Sequence, residues 1–330
     1  MSQSILVAAG TPEDLAAIVA ESLVDANLAG HDSHGVIRIP SYVAAVRRGQ
    51  VKPAARARRE SLGGACARVD GEWGWGQPAA RLAVDAAVEI ASSHGVGVVA
   101  VGRCNHIGRL GEYVERFAAA GMMGMAMCNS RAAVAPFGGY TRLLGTNPIA
   151  WSAPHASGKP PVVVDFATST VAEGKLRVAQ ADGGKVPAGA VVDSQGRPSQ
   201  DPAAYYDGGA LTTFGGHKGF GLSVVAELMG GVLSGSGPSS LAGYDNGNGT
   251  VVLAIDVERF VPRAAFLDQE EALSTAIHEA PAAPGVEMVM MPGEPEWRSR
   301  RRRAVEGVPV PAATYQALIE AATELGLSPV

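Results

Sequence analysis

Cysteine, aromatic and charged residues are all sparse in this 330-residue chain. Its three cysteines, Cys66, Cys104 and Cys128, are odd in number, far apart and free of any CxxC pair. That pattern argues against a disulfide framework or a thiolate zinc site, and it fits a reducing compartment. Aromatic residues make up 5%, which disfavours a surface that stacks nucleic-acid bases. A net charge of -5 provides no overall attraction for nucleic acid or an anionic membrane.

Long apolar runs and a secretory leader are also missing. No apolar stretch approaches the ~18 residues of a membrane span, so we expect no membrane partner. The first residues, MSQSILVAAG, lack the basic start and apolar block of a signal peptide. These absences together predict a cytoplasmic protein.

The composition that remains suits a large folded core. Hydrophobic residues are 47% and charged residues 18%, which is typical of a folded rather than a disordered chain. The length predicts one large or two modest domains. The 42 glycines and 21 prolines predict many turns and close backbone approaches.

Helical and strand patterns alternate through the middle of the chain, and both ends are helical. The stretch 11–30 predicts a helix with Thr11 as its N-cap and Gly30 as its stop. Further helices are predicted from Pro40 to Gly49 and over 77–95, 110–121 and 220–235, the last with one apolar stripe formed by Leu222, Val225, Ala226, Met229 and Leu233. Strands are predicted over 96–102, 122–128, 161–166, 250–256 and the VEMVMM stretch after Gly285, and loops over 183–202 and 235–249. We therefore expect a helical layer, built from both ends, beside a central α/β domain.

The stretch GHDSHGVIRIP (30–40) concentrates reactive side chains at a helix exit. His34 can exchange a proton near neutral pH, and Arg38 can bind a carboxylate with two parallel hydrogen bonds. The alternative is that His31, Asp32 and Ser33 only cap helix ends. A metal site is not favoured, because no HExxH-type partner or acidic third ligand accompanies the histidines.

Three later segments also carry candidate site residues. His106, followed by Gly108 and Gly111, lies where a strand passes into a helix, which suits an anion or a tight turn. Asp165 ends a buried strand, a position that commonly lines a ligand crevice or caps a helix. FGGHKGFG (214–221) is a glycine-rich helix start whose lysine could help hold a phosphate, but it is not a Walker loop.

The usual dinucleotide fingerprint is absent. GVGVVA (95–100) formally matches GxGxxA, but a helix precedes it and a strand follows, which is the reverse of a Rossmann turn. A nicotinamide cofactor would therefore have to bind without that fingerprint.

Six motifs occur in an order that closely resembles the malate/L-lactate dehydrogenase family of the type-2, non-Rossmann kind. They are HDSHGVIRIPSYV, NHIGRLGEYVERFA, VAPFGGYTRLLGTNPIAWSAP, VVDFATSTVAEGKL, GGHKGFGLSVVAELMGGVLSG and MPGEPEWRSR, which span most of the chain. The resemblance implies an α/β fold with a non-Rossmann cofactor-binding α/β sandwich domain over 71–285. It also implies a helical domain from residues 1–70 and 286–330, and a homodimer with its site near the subunit interface.

The resemblance also implies roles for individual residues. Ser33 and His34 match the family's SHG motif, with His34 as the proton donor. Arg38 matches the residue that holds the substrate carboxylate, and Thr146 matches a substrate-side position. His106 matches a segment that touches both the cofactor and the reaction centre. The positions that match cofactor contacts are His106, Ile107, Gly108, Arg109, Leu110, Asp165, Phe166, Ala167, Lys218, Gly219, Gly293 and Glu294.

The implied function is hydride transfer between NAD or NADP and C2 of a small 2-hydroxy acid or 2-oxo acid. One alternative is reduction of a cyclic imine, as in the piperideine-2-carboxylate reductases of the same family. Some imine-reducing members carry an acidic partner for the SHG histidine after the DFATS-like strand, where AEGKL here offers Glu173 and Lys175. Two further alternatives are a hydrolase that uses Ser33 and His34, and a non-catalytic nucleotide-binding module. The hydrolase is disfavoured because adjacent side chains seldom meet productively and no GxSxG elbow exists.

The choice between the two nicotinamide cofactors depends on a basic run. WRSRRRRAVEG (297–307) is typical of a solvated helix face. Because it follows the implied late cofactor loop, its arginines could instead meet the 2′-phosphate of NADP.

Overall fold

The computed structural model describes residues 1–156, 158–244 and 247–328. The helices are α1 (Ser2–Ala8), α2 (Glu13–Leu28), α3 (Ile39–Arg47), α4 (Gly76–His94), α5 (Gly111–Ala119), α6 (Glu173–Ala181), α7 (Ala203–Tyr206), α8 (His217–Ala226), α9 (Arg263–His278), α10 (Glu294–Glu306) and α11 (Ala312–Glu324). The strands are β1 (Arg58–Gly63), β2 (Cys66–Asp70), β3 (Val96–Gly102), β4 (Met122–Cys128), β5 (Ile149–Ala153), β6 (Val162–Phe166), β7 (Val191–Val192), β8 (Pro198–Ser199), β9 (Ala210–Leu211) and β10 (Thr250–Asp256). Within the described ranges, none of these helices has both the length and the apolar character to cross a bilayer.

A mostly antiparallel seven-stranded sheet organises the centre of the molecule, in the order β1-β2-β3-β10-β4-β5-β6. β10 enters between β3 and β4 and pairs antiparallel with both, while β2 and β3 form a parallel pair. The strands expected over 96–102, 122–128 and 250–256 are confirmed at those bounds. β6 forms one edge of this sheet, and that position matters for the site.

Helices cover both faces of the sheet, so the fold is mixed α/β. α4 and α5 pack against one face, where Ala126 and Cys128 of β4 join their apolar cluster. α8 and the π-helical turn Glu227–Leu233 that continues it cover the other face, where Met127 and Ile149 meet Ala226. Successive residues of β4 thus point to opposite helical layers, as the two-residue period of a strand requires.

The two ends of the chain meet in a second apolar cluster. Ile5, Leu23 and Ile39 from the N-terminal helices pack with Leu318 and Ala322 of α11. This agrees with the expectation that helices from both ends lie together. The domain boundaries at residues 70 and 285 stay a prediction.

Four local expectations were wrong. Thr11 does not cap α2, because Pro12 is the N-cap and the Thr11 hydroxyl accepts a hydrogen bond from Trp75 Nε1. The segment 286–291 forms no strand and lies largely exposed. The expected loop over 183–202 contains β7 and β8, which form a small sheet with β9.

The fourth error concerns the face of α8 that is buried. Its helix is confirmed, but the inward side consists mainly of Gly219, Ser223, Ala226 and Glu227. Val225 and Leu233 of the expected apolar stripe are exposed. The inward side must carry small residues because the backbone before β10 passes close to this helix. A Cβ on Gly230 would lie 2.6 Å from the Gly249 carbonyl oxygen.

Candidate active site

The turn that follows α2 presents His34. Gly30 adopts φ +91°, which ends the helix, and the chain enters two short 3-10 turns over Asp32–His34 and Val36–Arg38. Asn27 holds both turns, since its Nδ2 donates to Asp32 (2.6 Å) and its Oδ1 accepts from Val36 N (2.9 Å). A Cβ on Gly35 would lie 2.2 Å from Asn27 Oδ1, so only glycine allows this approach. Sequence reasoning did not identify Asn27.

His34 and His106 form the centre of the candidate site. Their rings stack with centroids 5.7 Å apart and planes inclined by 20°. Nδ1 of His34 lies 3.0 Å from Ser33 Oγ, and Nδ1 of His106 lies 2.7 Å from the Tyr42 hydroxyl oxygen. Among the described residues neither Nε2 makes a hydrogen bond, which leaves one nitrogen of each ring for a ligand.

The backbone before α5 is anchored so that His106 reaches this position. Asn105 Nδ2 donates to the carbonyl oxygens of Trp73 and Gly74, each at 2.9 Å. Ile107 N donates to Asn248 Oδ1 (3.2 Å), and Asn248 N donates to the Cys104 carbonyl oxygen (2.8 Å). Asn105, Asn248 and Tyr42 were also missed by the sequence, because their roles depend on contacts between distant segments.

Burial and nearby cations keep both imidazoles neutral. Burial, followed by the charges of Arg38, His31 and Arg109, lowers the pKa of His34 to about 3. Burial, Arg38 and His34 hold the pKa of His106 well below its usual range. Arg38 itself is fixed by a 2.6 Å hydrogen bond from its Nε to the Ser33 carbonyl oxygen. The site thus combines two neutral imidazoles with a cation that an anionic substrate could neutralise.

The C-terminal end of β6 gathers several residues of the implied cofactor set. Asp165 accepts a hydrogen bond from Gly111 N at 2.7 Å, which joins this strand to the start of α5. Burial raises the pKa of Asp165, although Arg109 and this hydrogen bond oppose the shift. Phe166 packs edge-to-face on Phe214, with ring centroids 5.4 Å apart. Ala167 follows, half-buried, at the strand exit.

Thr146 lies beside the same strand exit. Thr168 N and Oγ1 donate to the Thr146 carbonyl oxygen at 2.9 and 3.0 Å. The Thr146 hydroxyl lies 3.3 Å from Ser130 Oγ. The next residue, Asn147, has φ +40° and is held by Glu227, whose buried carboxylate the sequence did not indicate as important.

The remaining residues of the implied cofactor set lie near the two ends of β6. Gly219 N donates to the Phe214 carbonyl oxygen (3.1 Å), and Lys218 is exposed at the start of α8. At the other end of the strand, Val163 N donates to the Pro292 carbonyl oxygen (3.0 Å), next to Gly293. Glu294 accepts from Met291 N (3.0 Å) and lies 2.8 Å from His278 Nε2.

Two cavities adjoin these residues but are separate from each other. One of about 540 Å³ is lined in part by Val163, Gly293, Trp297 and Arg300. Another of about 360 Å³ is lined in part by Ser33, Arg38, Gly174 and Val310. Direct contacts bring His34, Ser33, Arg38 and His106 together, whereas Gly293 lines the other cavity.

Arg109 retains unused hydrogen-bonding capacity. It is nearly fully buried, and its Nη2 donates to Asp25 and Glu115 at 3.3 and 2.9 Å. Its Nε and Nη1 have no partner among the described residues. Ile107 and Leu110 in the same segment are buried in the core, so these two residues can contact a ligand only through their backbone.

No carboxylate partner for His34 occurs in the part of the chain that the structure describes. Glu173 bonds instead to Arg177 (2.7 Å) and the Tyr206 hydroxyl (3.2 Å). Lys175 is exposed, and Gly174 lies against Ser33. Nor do the described residues contain a group of three or more His, Cys, Asp or Glu side chains placed to hold a metal ion.

Much of the arginine run is committed to tertiary ion pairs rather than to solvent. Arg300 pairs with Asp25 (2.9 Å) and Glu115 (2.7 Å), and Arg303 pairs with Asp32 (2.7 Å). These contacts fasten α10 to α2 and to the turn before His34. The expectation of a solvated helix face is therefore wrong for these two residues.

Comparison with known proteins gives a consistent result over the full chain. The family model described as malate/L-lactate dehydrogenase matches residues 1–319. An L-lactate dehydrogenase from Cupriavidus necator is 36% identical, covering 99% of this chain and 96% of the relative. A Delta(1)-pyrroline-2-carboxylate/Delta(1)-piperideine-2-carboxylate reductase from Pseudomonas syringae pv. tomato is 35% identical, with 96% and 92% covered. The malate dehydrogenase structure from Pyrococcus horikoshii superposes with a TM-score of 0.91 at 32% identity, covering 100% of this chain and 94% of that chain.

Proposed function

This chain belongs to the malate/L-lactate dehydrogenase family, whose members are nicotinamide-dependent oxidoreductases, and we propose that it interconverts a small 2-hydroxy acid and its 2-oxo acid with His34 and His106 at the reaction centre. The observation that carries the proposal is the stacked histidine pair beside Arg38. Two neutral imidazoles, each with an Nε2 that has no partner in the described part of the chain, can meet one substrate oxygen while Arg38 binds the neighbouring carboxylate.

Each residue then has a distinct task. When bound, a nicotinamide would supply the hydride to C2 or accept it from C2. His34 takes the hydroxyl proton when the hydroxy acid is oxidised and returns it to the oxygen in the reverse direction, a contribution of about 10²–10⁴-fold. Arg38 fixes the carboxylate and so orients C2. Ser33 holds the His34 ring, and Thr146 lies on the substrate side.

The residues of β6 and its neighbours fit a dinucleotide. Arg109 offers two buried donor groups that have no partner among the described residues, which suit the negative charge of a diphosphate. The segment His106–Leu110, Asp165–Ala167, Lys218, Gly219, Gly293 and Glu294 would hold the cofactor. Both NAD and NADP stay open. Arg300 and Arg303 are held in ion pairs with other segments, whereas Arg298, Arg301 and Arg302 are exposed and could meet a 2′-phosphate; of these, Arg302 lies 4.0 Å from Glu306 on the same helix.

A cyclic-imine substrate is the second candidate, supported by the similarity to the Pseudomonas syringae reductase. Against it stands the lack of a carboxylate on His34 among the described residues. One distance supports a Ser/His hydrolase: Ser33 Oγ lies 3.0 Å from His34 Nδ1 although the two residues are adjacent in the chain. Membership of an oxidoreductase family nevertheless favours hydride transfer.

The test follows nicotinamide absorbance with purified protein and each cofactor separately. The substrates are pyruvate, oxaloacetate, a ureido acid, diketogulonate and piperideine-2-carboxylate. We expect turnover of one 2-oxo acid, lost in His34→Ala and retained in His94→Ala, a surface histidine on α4. Turnover of the imine alone would select the second candidate. Absence of turnover, with neither cofactor changing the melting temperature, would contradict the whole proposal.

We also propose a cytoplasmic homodimer. The outward side of α8 and its π-helical continuation exposes Val225, Leu228, Val232 and Leu233, an apolar face of the kind that a second copy covers. Light scattering should give twice the chain mass, and Leu228→Asp should shift it toward the monomer. Val305→Asp, at a position 87% exposed on α10, is the control. A monomeric wild type would contradict this assembly, and recovery of the protein in a membrane or extracellular fraction would contradict the location.

A further inference from the structure

A buried chain of hydrogen bonds runs from α4 to the reaction centre. Gln77 Nε2 donates to the Tyr42 hydroxyl oxygen at 2.9 Å, and that oxygen lies 2.7 Å from His106 Nδ1. Gln77 is fully buried and Tyr42 nearly so. In contrast, the partner of His34 Nδ1 is the hydroxyl of Ser33, which can rotate to donate or accept.

The environment of Tyr42 leaves its ring little freedom. It packs on Trp75 with ring centroids 5.3 Å apart and edge-on to His106 at 6.0 Å. Trp75 is in turn held by the hydrogen bond from its Nε1 to Thr11. The phenol oxygen is therefore fixed between one amide and one imidazole nitrogen.

With Gln77 Nε2 as the donor, the number of available protons sets the direction of the hydrogen bond between Tyr42 and His106. A phenol has one proton, and in this structure the Gln77 amide donates to its oxygen through Nε2, while Gln77 Oε1 has no partner among the described residues. The Tyr42 O–H is consequently free to point at His106 Nδ1, which accepts. Burial and the charge of Arg38 keep the His106 ring neutral, so its single proton lies on Nε2.

We propose that Tyr42, oriented by Gln77, is a positioning residue that holds His106 as the Nε2–H tautomer, so that His106 donates a hydrogen bond to the substrate oxygen while His34 exchanges the proton. This inference rests on the proposed function for the role of the substrate oxygen, but the tautomer itself is a property of the free protein. It assigns different tasks to two stacked rings that burial makes otherwise similar. It also explains why a tyrosine one turn beyond Arg38 is buried next to an amide.

The direct test is nitrogen-15 NMR of the histidine rings in the full-length free protein at neutral pH. We expect His106 in the Nε2–H form in the wild type, and a mixture of tautomers in Tyr42→Phe, which keeps the ring packing. His106 in the Nδ1–H form in the wild type would overturn the proposal, whether or not any variant folds. So would an unchanged tautomer in a folded Tyr42→Phe protein.

Kinetics supply the second readout. We expect kcat of Tyr42→Phe to fall roughly 10- to 100-fold with little change in KM, because a bond that forms to the substrate oxygen in the transition state is weakened. Tyr140→Phe, a half-exposed tyrosine outside the site, is the matched control. If the wild type turns over no 2-oxo acid, the proposed function fails while the tautomer result still stands. If the wild type is active and Tyr42→Phe keeps full kcat, the positioning role alone is wrong.

Discussion

The imidazole rings of His34 and His106 stack with their centroids 5.7 Å apart, although one follows α2 and the other precedes α5. Each ring is half-buried and faces the charge of Arg38, so protonating either one is costly. Most of what we expect of this protein's pH dependence and substrate binding follows from this pair.

Stability should decrease as the pH falls below the ordinary histidine value. The pKa of His34 is lowered from 6.5 to about 3, so between these values the unfolded chain binds more protons than the folded one. The free energy of unfolding is therefore highest above about pH 6.5 and decreases toward acid. Urea titrations at about pH 7.5 and about pH 5 should show that the free energy of unfolding falls by about 2 kcal/mol less in His34→Gln than in the wild type. Equal losses would mean that His34 does not titrate in this way.

Binding of a 2-oxo acid anion should be accompanied by proton uptake. Burial is the largest cause of the lowered His34 pKa, and the positive charge of Arg38 is the next. A carboxylate paired with Arg38 offsets that charge and raises the pKa toward its usual value. Calorimetry of substrate binding to the cofactor-loaded protein, in buffers of different ionisation enthalpy below about pH 6.5, should detect the uptake. Buffer-independent heats would contradict it.

Arg38→Lys should mainly weaken substrate binding. Lysine cannot reproduce the two parallel hydrogen bonds to a carboxylate, nor the fork that also bonds the Ser33 carbonyl oxygen. We expect KM to rise roughly 10- to 100-fold, the equivalent of one or two charge-assisted hydrogen bonds. Arg48→Lys, exposed at the end of α3, provides the comparison. Wild-type KM and kcat in Arg38→Lys would exclude Arg38 as the carboxylate clamp.

Gly35→Ala should disturb the turn that carries His34. The added Cβ would lie 2.2 Å from Asn27 Oδ1, the atom that holds Val36 N. We expect a loss of about 1–3 kcal/mol in stability and a large fall in kcat. Asn27→Ala combined with Gly35→Ala relieves the clash, so the two losses should be less than additive. Additive losses would show that the two positions are independent.

Glu227→Gln should destabilise the fold next to Thr146. The buried carboxylate accepts from Asn129 Nδ2, Gly145 N, Asn147 Nδ2, and both N and Oγ of Ser239. In glutamine one of the two acceptor oxygens is replaced by an NH2 donor that faces other donors. We expect this to lower the free energy of unfolding by about 2–4 kcal/mol. Urea denaturation should show this loss, and the exposed Glu258→Gln should not differ from the wild type by more than about 0.5 kcal/mol. A neutral Glu227→Gln would mean that the loop after β4 does not depend on this carboxylate.

Local patterns predicted the regular elements more reliably than their environments. The helix over α4 and the strands β3, β4 and β10 are readable because apolar periodicity and glycine stops lie within a few residues of each other. The same patterns misplaced the buried side of α8, because which face turns inward depends on the backbone that packs against it. They also predicted a strand over 286–291, a segment that pairs with no strand in the described part of the chain.

The sequence by itself determined the family, the order of the motifs and the residue types available for the chemistry, since these are written in the linear order of the chain. Only the tertiary structure decided that His34 stacks on His106, that Gln77 bonds to Tyr42 and Tyr42 to the His106 ring, and that Arg300 and Arg303 form ion pairs. Each of these facts joins segments far apart in the chain. Their distances are set by how the sheet and its helices pack, and no local pattern contains that information.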